Sequence, residues 1–134
     1  PLVPEDGASE VPGMPPLADG LFDSSPGAGE LFPQSDITCE TRRGRADDVV
    51  PAEWRLWHAE AEVFDAQDLE WFRAHGGRVL QLGDDIHDPS DSYATWLSTR
   101  NVNSALERPD FHVFGTRPAG SAGELLAALR GALS

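Results

Sequence analysis

The chain has 134 residues, with 23 Asp and Glu against 10 Arg, no Lys, and a formal net charge of −13. One domain of that length buries about two-thirds of its unfolded surface, so it needs no disulfide or metal staple. The charge opposes nucleic-acid backbones and anionic lipid; the lone Cys39 leaves no internal disulfide, CxxC centre or Cys-based zinc site; and no apolar run nears the ~20 residues that span a bilayer.

The Pro-rich acidic start has neither the basic nor the apolar region of a signal peptide, so a soluble, cytoplasmic protein is expected. It opens Pro1-Leu2 without an initiator Met, as a processed chain or an excised fragment would. Seven of the eleven prolines fall in the first 33 residues, and residues 1–40 hold eight acids and no base. Residues 1–40 therefore read as an extended arm or linker, and 41–134 as the domain. Turns are expected at Pro15-Pro16 and at Ser24-Ser25-Pro26-Gly27. Met14, Leu17, Leu21, Phe22, Leu31 and Phe32 give this arm apolar anchors that a solvated tail does not need, with Leu31 and Phe32 the best of them. It is expected to dock on its own domain or on a neighbour.

From Glu53 the periodicities become readable. Residues 53–59 mix aromatic and aliphatic side chains on both faces and predict a strand. A helix follows, with Asp65 as N-cap, Asp68 at its third position and Gly76-Gly77 as its stop. Arg78 to Leu82 is a second strand, completing a βαβ unit. An acidic loop from Gly83 to Asp91 leads to a helix around Ser92–Leu97, then to strands 104–107 and 111–115 joined by a turn at Arg108-Pro109-Asp110. The last helix, 121–133, aligns Leu125, Leu126, Leu129 and Leu133 on one stripe. The order βαβ, α, ββ, α predicts an α/β fold, a thioredoxin-like mixed sheet with an extended N-terminal arm.

A redox thioredoxin places CxxC at the start of the helix after the first strand, where the helix dipole stabilises a thiolate. Here Ala61 to Ala66 contains no sulfur and several acids, so thiol–disulfide exchange is excluded. Cys39 paired with His58 as a nucleophile is arithmetically open, but a structural Cys is the better reading. The stretch Gly83–Asp91 concentrates four Asp and His87, yet lacks the spacing, central Gly and closing Glu of an EF-hand; caps and turns account for it better than a cation does. No phosphate-cradling GxGxxG or GxxxxGK[ST] occurs. Core packing accounts for the four Trp, and His75 at a helix end suits the local dipole. No catalytic, cofactor or metal residue is assigned.

Two segments carry a resemblance: Gly29-Glu30-Leu31-Phe32-Pro33-Gln34, and Arg108-Pro109-Asp110-Phe111-His112-Val113-Phe114-Gly115-Thr116. They resemble the C-terminal region of the group A FAD-dependent aromatic hydroxylases, of the 3-(3-hydroxyphenyl)propionate hydroxylase and phenol 2-monooxygenase type. Pro16 to Gly20 and Asp47 to Val50 are similar to that family's approach to its first thioredoxin-like strand, whereas Arg42-Arg43-Gly44-Arg45 and the Asp84–Asp91 loop depart from it. The resemblance implies a non-catalytic accessory domain of an oxidoreductase that uses FAD and NAD(P)H to hydroxylate a phenolic ring, with neither cofactor held by this chain. It implies packing on the FAD and substrate domains and support of a homo-oligomer, with Leu31, Phe32, Pro33, Gln34, Arg108, Pro109 and Asp110 as structural or interaction residues. A stand-alone thioredoxin-like interaction module is the alternative, with no nucleic-acid or membrane partner in either case.

Overall fold

The computed structural model describes residues 21–39, 42–50 and 53–133. Met14, Leu17 and the Pro15-Pro16 turn lie outside the described residues. The elements run β1 (Asp36–Cys39), β2 (Arg42–Arg45), α1 (Ala46–Val49), β3 (Trp54–His58), α2 (Ala66–Ala74), β4 (Gly77–Gln81), α3 (Ser92–Thr99), β5 (Ser104–Glu107), β6 (Val113–Arg117) and α4 (Gly123–Ala132). From β3 onward this is the βαβ, α, ββ, α order expected from the sequence. The four-stranded sheet is ordered β4-β3-β5-β6; β3 and β4 are parallel, and β5 is antiparallel to both β3 and β6.

Local chemistry sets the helix ends. Asp65 accepts a hydrogen bond from the Asp68 backbone N–H at 3.0 Å, capping α2. Gly76 takes φ +89° behind His75, and a side chain on Gly77 would meet the Phe72 ring at 2.5 Å. The glycine pair therefore both turns the chain and lets β4 start against the helix it has just left.

The strands' two-residue period divides the core. Trp54, Leu56, Leu106 and Phe114 face α2 and α4, meeting Phe72, Leu125, Leu126 and Leu129. Trp57, Leu80, Ala105 and Val113 face α3, meeting Tyr93, Trp96 and Leu97, together with Phe32, Ile37 and Val50. Trp54, Trp57 and Trp96 are buried in these clusters and Trp71 packs against one, the role expected of the tryptophans.

Three features differ from the sequence reading. β1 and β2 form an antiparallel hairpin that the sequence did not announce, and Ile37 and Cys39 enter the core from it. Leu31, expected as a buried anchor, is 65% exposed, whereas its neighbour Phe32 is 3% exposed. Successive residues of an extended segment point to opposite sides, so burying Phe32 turns Leu31 outward. The last strand starts at Val113 rather than at Phe111: Phe111 has φ +71° and donates its N–H to the Arg108 carbonyl, which keeps it and His112 in a longer turn.

Candidate functional site

The two segments that carry the resemblance are distant in sequence and adjacent in space. Residues 21–34 run as a strap along β6, the sheet edge. The Asp23 N–H donates to the Phe114 carbonyl at 2.9 Å, Gly29 N–H to Val113 O at 2.8 Å, Val113 N–H to Glu30 O at 2.8 Å, and Phe32 N–H to Phe111 O at 2.8 Å. Leu31 and His112 form an antiparallel bridge. The expected turn near Pro26 is present, with the Ala28 N–H donating to the Ser25 carbonyl at 3.2 Å, and Thr116 ties it to the sheet by donating its N–H to Ser25 Oγ at 2.8 Å and its hydroxyl to Pro26 O at 2.7 Å. A strap of this kind satisfies the backbone groups that an edge strand would otherwise offer to another chain.

Side chains fix the strap at three levels. At its start, Asp23 pairs with Arg117 at 2.7 Å, and its carboxyl fills the space where a Gly115 side chain would lie. In the middle, Arg100 lies 4.0 Å over the Trp96 ring and pairs with Glu30 at 2.5 Å. Toward its end, Phe32 enters an aromatic cage, with ring centroids 5.7 Å from Trp57, 5.3 Å from Tyr93 and 5.1 Å from Trp96. Pro33, half-buried, then leads to Gln34, whose Nε2 donates to Glu107 Oε2 at 2.8 Å.

Arg108 organises the turn. It is 4% exposed and grips Asp110 through Nε at 3.1 Å and Nη2 at 2.6 Å, closing the loop that carries Pro109. Its Nη1 donates to the Leu21 carbonyl at 3.2 Å, and its guanidinium sits 4.5 Å over the Phe22 ring. The turn and the strap's start are therefore held by a single side chain. Of the seven residues singled out from the sequence, Phe32, Gln34, Arg108 and Asp110 make these bonds and ring contacts, and Leu31 pairs by backbone and leaves its side chain outside.

Beneath this junction lies a buried ion pair that the sequence reading missed. Arg55 Nε meets Glu107 Oε1 at 3.1 Å, with side chains 3% and 0% exposed. Trp57 Nε1 donates to the same oxygen at 2.9 Å, and Arg55 Nη1 donates to the Val50 carbonyl at 2.7 Å. Burial pushes the Glu107 carboxyl above its ordinary value, against the pull of Arg55 and the three donors. Burial likewise pushes the Tyr93 phenol up to about 12. The available signal was one Arg and one Glu on strands buried on both faces; matching them requires knowing that Arg55 stands opposite Glu107 in the β3–β5 register.

At the end of β3, where a redox thioredoxin would hold its thiols, Glu62 accepts hydrogen bonds from the Gly120 and Ala122 N–H groups at 3.0 and 3.2 Å. Cys39 is buried in the cluster facing α3. In the acidic loop, Asp85 accepts from Gln81 N–H at 2.9 Å, and Asp88 accepts from the Ser90 hydroxyl at 2.8 Å and Tyr93 N–H at 3.0 Å. Those two carboxylates serve as turn and cap groups. No helix among the described residues is long and apolar enough to cross a membrane.

Known proteins share this architecture. Residues 29–132 match the HcaD C-terminal domain family. No curated protein matches the chain. Among solved structures it is similar to aklavinone-11 hydroxylase, seen in a ternary complex with FAD and aklavinone, at 22% identity and a TM-score of 0.55 over 78% of this chain and 21% of that one. It is also similar to the flavin-dependent monooxygenase PieE, seen with FAD and substrate, at 24% identity and a TM-score of 0.54 over 94% of this chain and 24% of that one. The chain thus spans about a fifth to a quarter of these proteins, and the likeness is one of fold. The family match runs from Gly29, in the second half of the strap, to Ala132, the last residue of α4, so it takes in the strap's Gly29–Gln34 segment, the turn and the whole four-stranded sheet: the chain belongs to the HcaD C-terminal domain family.

Proposed function

We propose that this chain is the non-catalytic C-terminal accessory domain of an FAD- and NAD(P)H-dependent aromatic-ring hydroxylase with a phenolic substrate. In this reading it is a thioredoxin-like domain that packs on the FAD and substrate domains of a cytoplasmic parent enzyme and supports its oligomer, and residues 1–40 are the arm joining the two parts. The family match and the fold shared with two proteins solved with FAD support it. The observation that carries it is the ladder between Gly29–Phe32 and Phe111–Val113. Phe32 buried within it, and Arg108 and Glu107 buried beside it, make it a rigid, pre-formed surface feature, which lowers the ordering cost of docking. The position a thiol pair would need is taken by Glu62 and Asp65 in structural bonds, so the design is one of support.

The test is complementation in trans. The FAD and substrate domains of the parent are produced with and without this chain. The expected result is co-purification, more flavin retained at 450 nm and faster phenol-dependent NAD(P)H consumption, while the chain alone holds no flavin. Flavin retention and turnover indifferent to the chain, without co-purification, would overturn the proposal.

A further inference from the structure

Half of the ten arginines are committed to the chain's own carboxylates: Arg55, Arg100, Arg108, Arg117 and Arg130 each form an ion pair. The β2 strand is different. Arg42, Arg43 and Arg45 are all exposed within four residues; Arg42 gives Nη2 to the Asp48 carbonyl at 2.8 Å, and Arg43 and Arg45 form no ion pair among the described residues. Asp36, opposite Arg45 in the register, offsets part of this charge.

The hairpin is not isolated. Thr38 stands opposite Arg43 in the β1–β2 register and exchanges two backbone hydrogen bonds of 2.8 Å with His87 on its other side. Arg43, Thr38 and His87 therefore lie in a row spanning two strand spacings, about 10 Å. His87 sits among Asp84, Asp85, Asp88 and Asp91, of which the first two and the last are exposed. A cavity of about 350 Å³ separates the basic and acidic patches, lined by Thr38, Arg43, Pro89 and Ser90. A partner for this face must be acidic opposite the hairpin and basic opposite the loop at that spacing. A purely acidic protein would suit the arginines and be repelled by the neighbouring aspartates. The same face on a second copy, turned about a two-fold axis, satisfies both demands by construction.

We infer that the β1–β2 hairpin and the 83–91 loop form a self-complementary face through which two copies of this chain associate, each arginine hairpin on the other's aspartate loop. The inference rests on the oligomer-supporting part of the proposed function and names its surface. Because each copy carries −13, ionic strength acts on the whole molecule as well as on the face, and a charge swap is the discriminating probe.

Two variants are made, Arg43→Glu/Arg45→Glu and Asp84→Arg/Asp85→Arg, and circular dichroism checks that each is folded; Arg43→Glu with Asp84→Arg serves if a double variant is not. Sedimentation equilibrium is expected to show wild type rising with concentration toward twice 14.5 kDa and each variant alone staying monomeric. An equimolar mixture should regain the dimer, with a dissociation constant at least roughly tenfold below that of either variant. A wild type that stays monomeric at millimolar concentration, a dimer untouched by either variant, or a mixture no more associated than its components would overturn the inference. None of these results bears on co-purification with the parent domains, so the two proposals fail separately.

Discussion

Arg55 brings a permanent charge to a buried strand position, and Glu107 is the counter-charge that makes this tolerable. Removing one partner strands the other, so Arg55→Met is expected to cost about 3–5 kcal/mol at neutral pH in urea unfolding, whereas Arg55→Met/Glu107→Leu recovers most of the loss. A single variant as stable as wild type would show that the pair carries no structural weight. The pH dependence follows from burial raising the Glu107 carboxyl above its ordinary 4.5. A raised acid holds its proton more tightly folded than unfolded. Its contribution is therefore complete below the unfolded value and is lost as pH rises through the folded one. Without Arg55 the carboxyl rises further, so the Arg55→Met deficit should shrink between pH 8 and pH 5; a deficit constant across that range would contradict the assignment. Tyr93 makes the same argument at alkaline pH. It is the chain's single tyrosine, stacked 4.4 Å from Trp57 with its hydroxyl accepting from the Ser35 N–H at 3.0 Å, and its phenol lies near 12. Tyrosinate absorbance at 295 nm should appear about two pH units later in the folded chain than in urea, with stability falling between pH 10 and 12. Tyr93→Phe should remove that loss, and a folded titration near 10 would place the ring in solvent.

The strap depends on close contacts, and Gly115 is its most sensitive point because the Asp23 carboxyl occupies the space a side chain would need. Gly115→Ala is expected to push Asp23 off Arg117 and destabilise the chain by about 1–3 kcal/mol, as overpacking does. The effect should be local: amide exchange over residues 21–28 should accelerate while β3 and β5 stay protected, and uniform acceleration would show that the strap and sheet unfold as one unit. The sequence made β3, α2, β4 and α3 legible because their apolar periods are strong and their ends carry Asp65 and Gly76-Gly77. It hid β1–β2 because Arg42-Arg43-Gly44-Arg45 has no buried face to alternate with; the buried side of the pair is Ile37 and Cys39 on its partner strand β1. The four-residue α1 is likewise too short for a period to show. Phe32 and Arg108 were legible as members of the site through motif likeness. The outward turn of Leu31 and the Arg55–Glu107 pair were not, since both depend on register that only the folded sheet defines.

At the scale of the whole molecule, charge is the term most open to solution conditions. The described residues hold 18 Asp and Glu against 10 Arg, −8 of the chain's −13, over a domain with a radius of gyration of about 13 Å, while the screening length is about 30 Å at 10 mM salt and about 8 Å at 150 mM. At the lower salt every carboxylate feels all the others; at the higher one, only its neighbours. Partly exposed pairs such as Asp23–Arg117 and Glu30–Arg100 pull the other way, weakening as salt is added, but each contributes at most about 1 kcal/mol. Global repulsion should win, so Tm is expected to rise by a few degrees between 10 and 150 mM NaCl at protein concentrations too low for self-association. Arg43→Glu/Arg45→Glu takes the charge from −13 by four further units to −17 and should steepen that rise. A Tm that falls with salt in both chains would mean that the strap's ion pairs, rather than the net charge, set the stability of the fold.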